Sequence, residues 1–190
     1  HYALPISDAA DWDRFYSETN QDTAMNAKLI RPLGRLLGNL FPDLAAEVAR
    51  HFATRPMGRR RRPDPEGAEP VTFRFGLAGL RWGSSGPTVL ALHGWEGRAA
   101  QFRGLGERLA SRGYQLFALD APGPGRSPGA EADPVVFADA LQEVAAELGP
   151  LHAVVGHSMG GASALLALSR GLDAVRTVAI AAPAGLAGVL

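Results

Sequence analysis

The feature that most limits how this chain can fold is a change of hydrophobic period near residue 71. Beyond it, short unbroken apolar runs alternate with segments whose apolar residues recur every three or four positions. Thr88–Leu92 (TVLAL), Gln115–Leu119 (QLFAL), His152–Val155 and Thr177–Ala181 (TVAIA) read as strands. Val71–Phe75 and Gly79–Trp82, separated by Gly76, read as a hairpin. Gln101–Arg112 reads as a helix with Phe102, Leu105 and Leu109 inward and Gly113 as its stop. Asp133 and Pro134 start a second helix that runs to Leu148 and turns Phe137, Leu141, Val144 and Leu148 inward. A third helix is expected from Met159 to Arg170. Strands that are apolar at every position have no wet face. The pattern therefore predicts an α/β architecture, a mostly parallel sheet with helices on both faces. Ligands of such sheets bind at the carboxyl ends of the strands. Those ends read His93-Gly94-Trp95, Asp120-Ala121-Pro122-Gly123, Gly156-His157-Ser158 and Ala182-Pro183.

Residues 1–70 have a different texture and are expected to form a helical leader with an Arg/Pro-rich linker, ahead of an incomplete α/β core at 71–190. Ala27–Phe41 reads as a helix with Leu29, Leu33, Leu36, Leu37 and Leu40 on one side, its first turn weakened by Pro32. Pro42 ends it and opens Asp43–Phe52, where Leu44, Val48 and Phe52 stack at four-residue steps. Residues 55–70 hold five arginines, four prolines and three acids, the composition of an exposed linker. The run Arg59–Arg62 has no interleaved aromatics, so a solvated connector fits it better than a nucleic-acid site. The helix bearing Lys28, Arg31 and Arg35 is expected to cover an edge of the following domain rather than to lie on a membrane.

Composition removes several classes of function. Nineteen basic residues balance nineteen acidic ones, so no global field favours nucleic acid or anionic lipid. No cysteine is present, which excludes disulfides, thiolate nucleophiles and cysteine-held metals. No pair of histidines has metal-ligand spacing, and no apolar run approaches the ~18 residues of a membrane span. Without cysteine or a basic-then-apolar leader, the cytoplasm is the expected compartment. The chain starts at His1 and stops at Leu190 inside an apolar stretch, and both ends are expected to be cut.

The segment Val155-Gly156-His157-Ser158-Met159-Gly160-Gly161 contains G-x-S-x-G between an apolar strand and a helical pattern. In a chain with 23 glycines that spacing alone is weak. Between strand and helix it has a mechanism. A serine on a sharp strand-to-helix turn projects its hydroxyl, and side chains two positions before and after would collide across the turn. Gly156 and Gly160 remove that collision, and Gly161 lets the helix pack close to neighbouring strands. Ser158 also meets a helix N-terminus, where free N–H groups favour negative charge, so the Met159 N–H is a candidate oxyanion donor. The loop His93-Gly94-Trp95-Glu96-Gly97 is expected to supply the second donor, the Trp95 N–H, with Gly94 permitting close approach.

Three motifs therefore stand in order: LHGW (Leu92–Trp95), D-x-P-G-x-G-x-S (Asp120, Pro122, Gly123, Gly125, Ser127) and GHSMGG (Gly156–Gly161). Together they resemble the first half of an α/β-hydrolase of the serine hydrolase group, with esterase, lipase and aminopeptidase-like members. The resemblance covers about 71–190. It departs from the family at Pro124, where histidine is common between the two glycines, a change within a tight turn that is expected to leave the chemistry intact. It implies a nucleophile, an acid and a histidine in that chain order, with Ser158 as nucleophile. After Ser158 there is one acid, Asp173, and no histidine. Asp173 precedes the last strand, at the wrong end of the sheet. The acid, the histidine and any lid are therefore expected beyond Leu190.

The resemblance implies hydrolysis of an ester, thioester or amide of a small acyl substrate through an acyl-enzyme on Ser158, with no cofactor. The fragment alone is expected to be inactive. His93 is expected to order the oxyanion loop, and His157 to support the elbow rather than act as base. His152 has no partner suggested by sequence, and His51 ends a surface helix. A non-catalytic binding protein on the same fold is the main alternative. A nucleotide-binding α/β domain is disfavoured, since G-x-G-x-x-G is missing from the loop and no G-K-[ST] occurs. Acyl transfer and perhydrolysis stay open on the same fold.

Overall fold

The computed structural model describes residues 38–55 and 63–183, with backbone alone at Phe52 and Ala53. Most of the expected Ala27–Phe41 helix, the basic residues Lys28, Arg31 and Arg35, and the Arg59–Arg62 run lie outside the described residues. The chain divides into two units at His51 and Phe52. The helix Pro42–Thr54 (α1) opens with proline, carries Asp43 in its first turn and His51 in its last, and pairs Glu47 with Arg50. The Asp43 carboxylate sits at the helix end where the dipole favours it.

In the second unit a six-stranded sheet has the spatial order β1-β2-β4-β3-β5-β6. Its strands are β1 (Glu69–Thr72), β2 (Ala78–Trp82), β3 (Thr88–Leu92), β4 (Gln115–Asp120), β5 (Leu151–His157) and β6 (Ala174–Ile180). β1, β2 and β4 pair antiparallel, whereas β4, β3, β5 and β6 are parallel. The helices are α2 (Arg103–Ala110), α3 (Pro134–Leu148) and α4 (Met159–Ser169). β3 feeds β4 on one side and has β5 on the other, so the chain reverses its direction of winding there, and sheets of this kind bind ligands at the carboxyl ends of the strands at such a point.

The unbroken apolar runs follow from two cores, one on each face. Leu90, Leu92, Phe117, Leu119 and Val154 point into a core closed by Phe137, Leu141 and Val144 of α3 and Ala164 and Ala167 of α4. Their neighbours Val89, Ala91, Leu116, Ala118, Ala153 and Val155 point the other way, into a core with Leu80, Trp82 and Phe102. The strand period of two thus turns each run into two buried faces. Each large side chain so buried contributes about 1.5–3 kcal/mol. Leu105 and Leu109 of α2 pack at the margin of the second core.

Four details differ from the sequence reading. The first strand ends at Thr72, because Arg74–Gly76 coil into a short 3-10 turn with Phe75 and Gly76 at positive φ. The expected helix Gln101–Arg112 splits into a 3-10 turn, Ala99–Phe102, and the shorter α2. Cover on both faces fails for β6, whose Val175 is 71% exposed and whose Val178 and Ile180 are also exposed. Among the described residues β6 has a strand neighbour on one edge alone. The described part of the expected linker is held to the second unit, with Ala68 against the second core and Asp64 bound by Arg126.

Asp133 caps α3 as the sequence predicts, its Oδ1 accepting from the Val135 and Val136 N–H groups at 2.7 and 2.8 Å. Asp133→Ala should therefore lower stability by about 1 kcal/mol, with Asp133→Asn recovering most of it, measured by urea unfolding.

Candidate active site

The rim at the carboxyl ends of β3 and β5 is built around one strained residue. Ser158 follows β5 and precedes α4 with φ 53° and ψ −121°, a conformation that L-residues avoid. It is held there from both sides. Its N–H donates to the Ile180 carbonyl at 2.8 Å, and its carbonyl accepts from the Gly161 and Ala162 N–H groups at 2.9 and 3.2 Å. The side chain is half-buried, and its hydroxyl takes part in no hydrogen bond among the described residues.

The glycines around Ser158 explain how the bend fits. A Cβ at Gly156 would lie 2.5 Å from the Gly161 Cα, so the start of α4 crosses directly over the end of β5. A Cβ at Gly161 would lie 2.7 Å from the Ala182 Cβ. Gly160 has a different reason from the one expected. Its Cβ would lie 2.8 Å from the Leu92 carbonyl carbon, so the room it makes is for the end of β3 rather than for the other side of its own turn. A Cβ at Gly94 would come within 2.9 Å of the Ser158 Cβ. The loop after β3 therefore lies against the elbow, at a spacing open to glycine alone.

His93 sets the orientation of that loop. It is fully buried and packs edge-on against Phe137. Its Nε2 accepts the Ala121 N–H at 3.0 Å, so that nitrogen carries no proton. Nδ1 must then hold the proton and donate it to the Gly94 carbonyl at 2.7 Å. The Gly97 N–H donates to the same carbonyl at 3.0 Å. No peptide bond described is cis. The Trp95 N–H, trans to the Gly94 carbonyl in one rigid plane, is therefore turned the opposite way. Neither the Trp95 N–H nor the Met159 N–H makes a hydrogen bond among the described residues. The next residue, Glu96, has φ 51°, a strained point of this loop beside the strained Ser158 of the elbow.

With both ring nitrogens engaged, His93 has no free lone pair for proton transfer. Burial lowers its pKa, against smaller raising effects of the Gly94 carbonyl bond and Asp120. His157 is exposed. His152 lies half-buried at the other end of β5 and stacks on Tyr114 at 5.3 Å. Asp173 is exposed at the amino end of β6. It lines a cavity of about 510 Å³ with Gln142, Gly149, Leu151, Leu172 and Val175, at the opposite end of the sheet from Ser158. No group of acids and histidines among the described residues could hold a metal ion. No helix among them is long and apolar enough to cross a membrane.

The sequence reading gave the D-x-P-G-x-G-x-S segment no individual roles. Asp120 is buried, with Oδ1 accepting the Ala99 N–H at 2.7 Å and Oδ2 accepting from Arg126 Nε at 2.7 Å. Ser127 donates to the Asp120 carbonyl and accepts the Ala78 N–H at 2.9 Å. The motif itself was the signal. A carboxylate closing an apolar strand needs partners, but sequence does not say which.

The alpha/beta hydrolase fold family matches residues 87–187. A pimeloyl-[acyl-carrier protein] methyl ester esterase of Chromobacterium violaceum is 40% identical over 98 residues, 51% of this chain and 37% of the esterase. A serine hydrolase-like protein of Danio rerio is 36% identical over 118 residues, 59% of this chain and 35% of that protein. The chain thus spans little more than a third of the length of either relative. Among solved structures, a thioesterase domain from the curacin biosynthetic pathway is 32% identical with a TM-score of 0.50, covering 54% of this chain and 40% of that domain.

Below about pH 6.5 an unfolded chain protonates a histidine that folded His93 keeps neutral. His93 therefore contributes stability in full above pH 6.5 and loses it as pH falls toward its lowered folded value, by at most about 1.4 kcal/mol per pH unit. His93→Gln should be less stable at pH 7.5 and show a shallower loss between pH 7 and 5, measured by urea unfolding.

Proposed function

Because this chain belongs to the alpha/beta hydrolase fold family, we propose that it carries the nucleophile half of a serine hydrolase acting on a carboxylic ester, thioester or amide. The observation that carries this reading is Ser158 itself. It is a non-glycine residue held at φ 53° with a free hydroxyl, beside two backbone N–H groups that have no partner among the described residues. Strain of this kind costs of order 1–3 kcal/mol and persists where the surroundings impose it. The relatives named as esterase, serine hydrolase-like protein and thioesterase support the class of bond.

In this mechanism Ser158 Oγ attacks the substrate carbonyl carbon. The hydroxyl proton passes to a histidine that follows Leu190, since no histidine lies between Ser158 and Leu190. The carbonyl oxygen becomes an oxyanion against the Trp95 and Met159 N–H groups, each worth about 10²–10³ in turnover. Collapse expels the alcohol, thiol or amine and leaves an acyl group on Ser158. Water, activated by the same histidine, then releases the acid. The half-exposed Trp95 ring beside the donor is placed to limit the size of the acyl group. No step needs a cofactor, and the expected partner is a small acyl substrate rather than nucleic acid or membrane. The cytoplasm remains the proposed compartment.

A second reading, a binding protein on the same fold, is favoured by one observation. No described histidine or acid is hydrogen-bonded to the Ser158 hydroxyl. The two readings separate on the full-length gene product treated with a fluorophosphonate. Rapid labelling that disappears in Ser158→Ala, with hydrolysis of short acyl esters falling by about 10⁶-fold, is the expected result. Label retained in Ser158→Ala would move the nucleophile elsewhere, and no labelling of the wild type would favour the binding protein.

A further inference from the structure

The loop that carries the Trp95 N–H is tied at both of its ends to one point, the end of β4. At its start, His93 Nε2 accepts the Ala121 N–H. At its finish, the Ala99 N–H donates to Asp120 Oδ1. Two successive residues of β4 and its turn thus hold residues six apart in the loop. The carboxylate that makes the second tie is almost fully buried and does not stand alone. Arg126 Nε reaches Asp120 Oδ2 at 2.7 Å, Arg126 Nη2 reaches the Gly79 carbonyl at 3.3 Å, and Arg126 Nη1 reaches Asp64 Oδ2 at 2.9 Å. A planar guanidinium that serves three acceptors in fixed directions fixes the rotamer of the carboxylate it touches.

From this geometry we infer that Asp120 and Arg126 are positioning residues for the oxyanion loop, and that Asp64, upstream of β1, joins the same clamp. None of the three reaches Ser158. They act through Ala99, whose place sets where the 94–97 turn, and with it the Trp95 N–H, comes to rest. The proposal rests on the reading of Ser158 as nucleophile and Trp95 as donor. It assigns work to the acid that ends β4 and to an arginine and an aspartate that carry none in that reading. Asp64 also lies outside the residues 87–187 that match the family, so this tie belongs to the chain rather than to the matched region.

An oxyanion donor acts on the transition state, so its displacement lowers kcat and leaves KM in place. On the full-length protein, Arg126→Gln should lower kcat about 10-fold and Asp120→Ala about 100-fold, both at nearly constant KM. Arg126→Lys should recover part of the loss, and the exposed Asp64→Asn should cost about 2-fold. Asp64→Asn should have no further effect in the Arg126→Gln background, because it acts through that guanidinium. Amide hydrogen exchange of the 94–99 segment should speed up in each variant. Arg126→Gln keeps the buried carboxylate and therefore tests the idea even if Asp120→Ala does not fold. Unchanged exchange at 94–99 would overturn the proposal, as would a lowered melting temperature with kcat intact. If the wild type takes no fluorophosphonate label, the functional reading fails, while the exchange data still decide whether the clamp holds the loop.

Discussion

Everything at this site depends on one bend that the backbone would not choose. Ser158 leaves a buried strand and enters a helix within a single residue, at a φ that L-residues avoid. Such a bend survives only where its neighbours leave no room for relaxation. The Ile180 carbonyl holds its N–H, the first turn of α4 holds its carbonyl, and the start of α4 crosses the end of β5 at a distance where a single Cβ would collide. The glycines are therefore the condition under which the strain can be imposed, more than sites of flexibility. Three further non-glycine residues at positive φ, Phe75, Glu96 and Ala181, also follow the carboxyl ends of strands. The sheet is regular through its middle and strained along one rim, the division expected where a rigid scaffold presents reacting groups.

The second element is the rigidity of a peptide plane. The Trp95 N–H, the proposed oxyanion donor, has no partner among the described residues to orient it. Here orientation comes from the far side of the same plane, where His93 and the Gly97 N–H fix the Gly94 carbonyl. A buried neutral imidazole suits that task, since it donates from one nitrogen and accepts at the other. Its burial lowers its pKa and keeps it in that form at neutral pH. The same engagement removes it as a proton acceptor, so in the proposed mechanism this histidine cannot serve as the base for Ser158.

Much of this was legible in the sequence, because the signals were local. Thr88–Leu92 and the capped helix to Leu148 appear where their period and cap residues put them. The elbow was legible through the spacing of Gly156, Ser158 and Gly160 between an apolar run and a helix. What escaped depends on partners distant in the chain. Gly160 makes room for β3, 68 positions before it, and no local pattern encodes that. Asp120 ends an apolar strand, and only the folded chain shows the Ala99 amide and the Arg126 guanidinium meeting it. Thr177–Ala181 reads as a buried strand because that run is apolar, yet burial belongs to its surroundings, and the strand observed, Ala174–Ile180, has an outer edge left unpaired among the described residues.

In the proposed mechanism the described residues supply one side of an acyl-transfer reaction and not the other. The hydroxyl, the two amide donors and the loop that holds them are assembled by β3, β4, β5 and α4, all of which lie before residue 170. Proton transfer is a separate function, which needs a group whose pKa lies near the working pH and whose lone pair is free. No described histidine is hydrogen-bonded to Ser158, and both ring nitrogens of His93 are engaged elsewhere. Charge stabilisation can therefore be complete while nucleophile activation is absent. The two contributions are separable in other serine enzymes, where an oxyanion site alone retains part of the rate. In the proposed mechanism the groups that receive negative charge lie on the loops after β3 and β5, while no described histidine is bonded to the hydroxyl that must give up its proton.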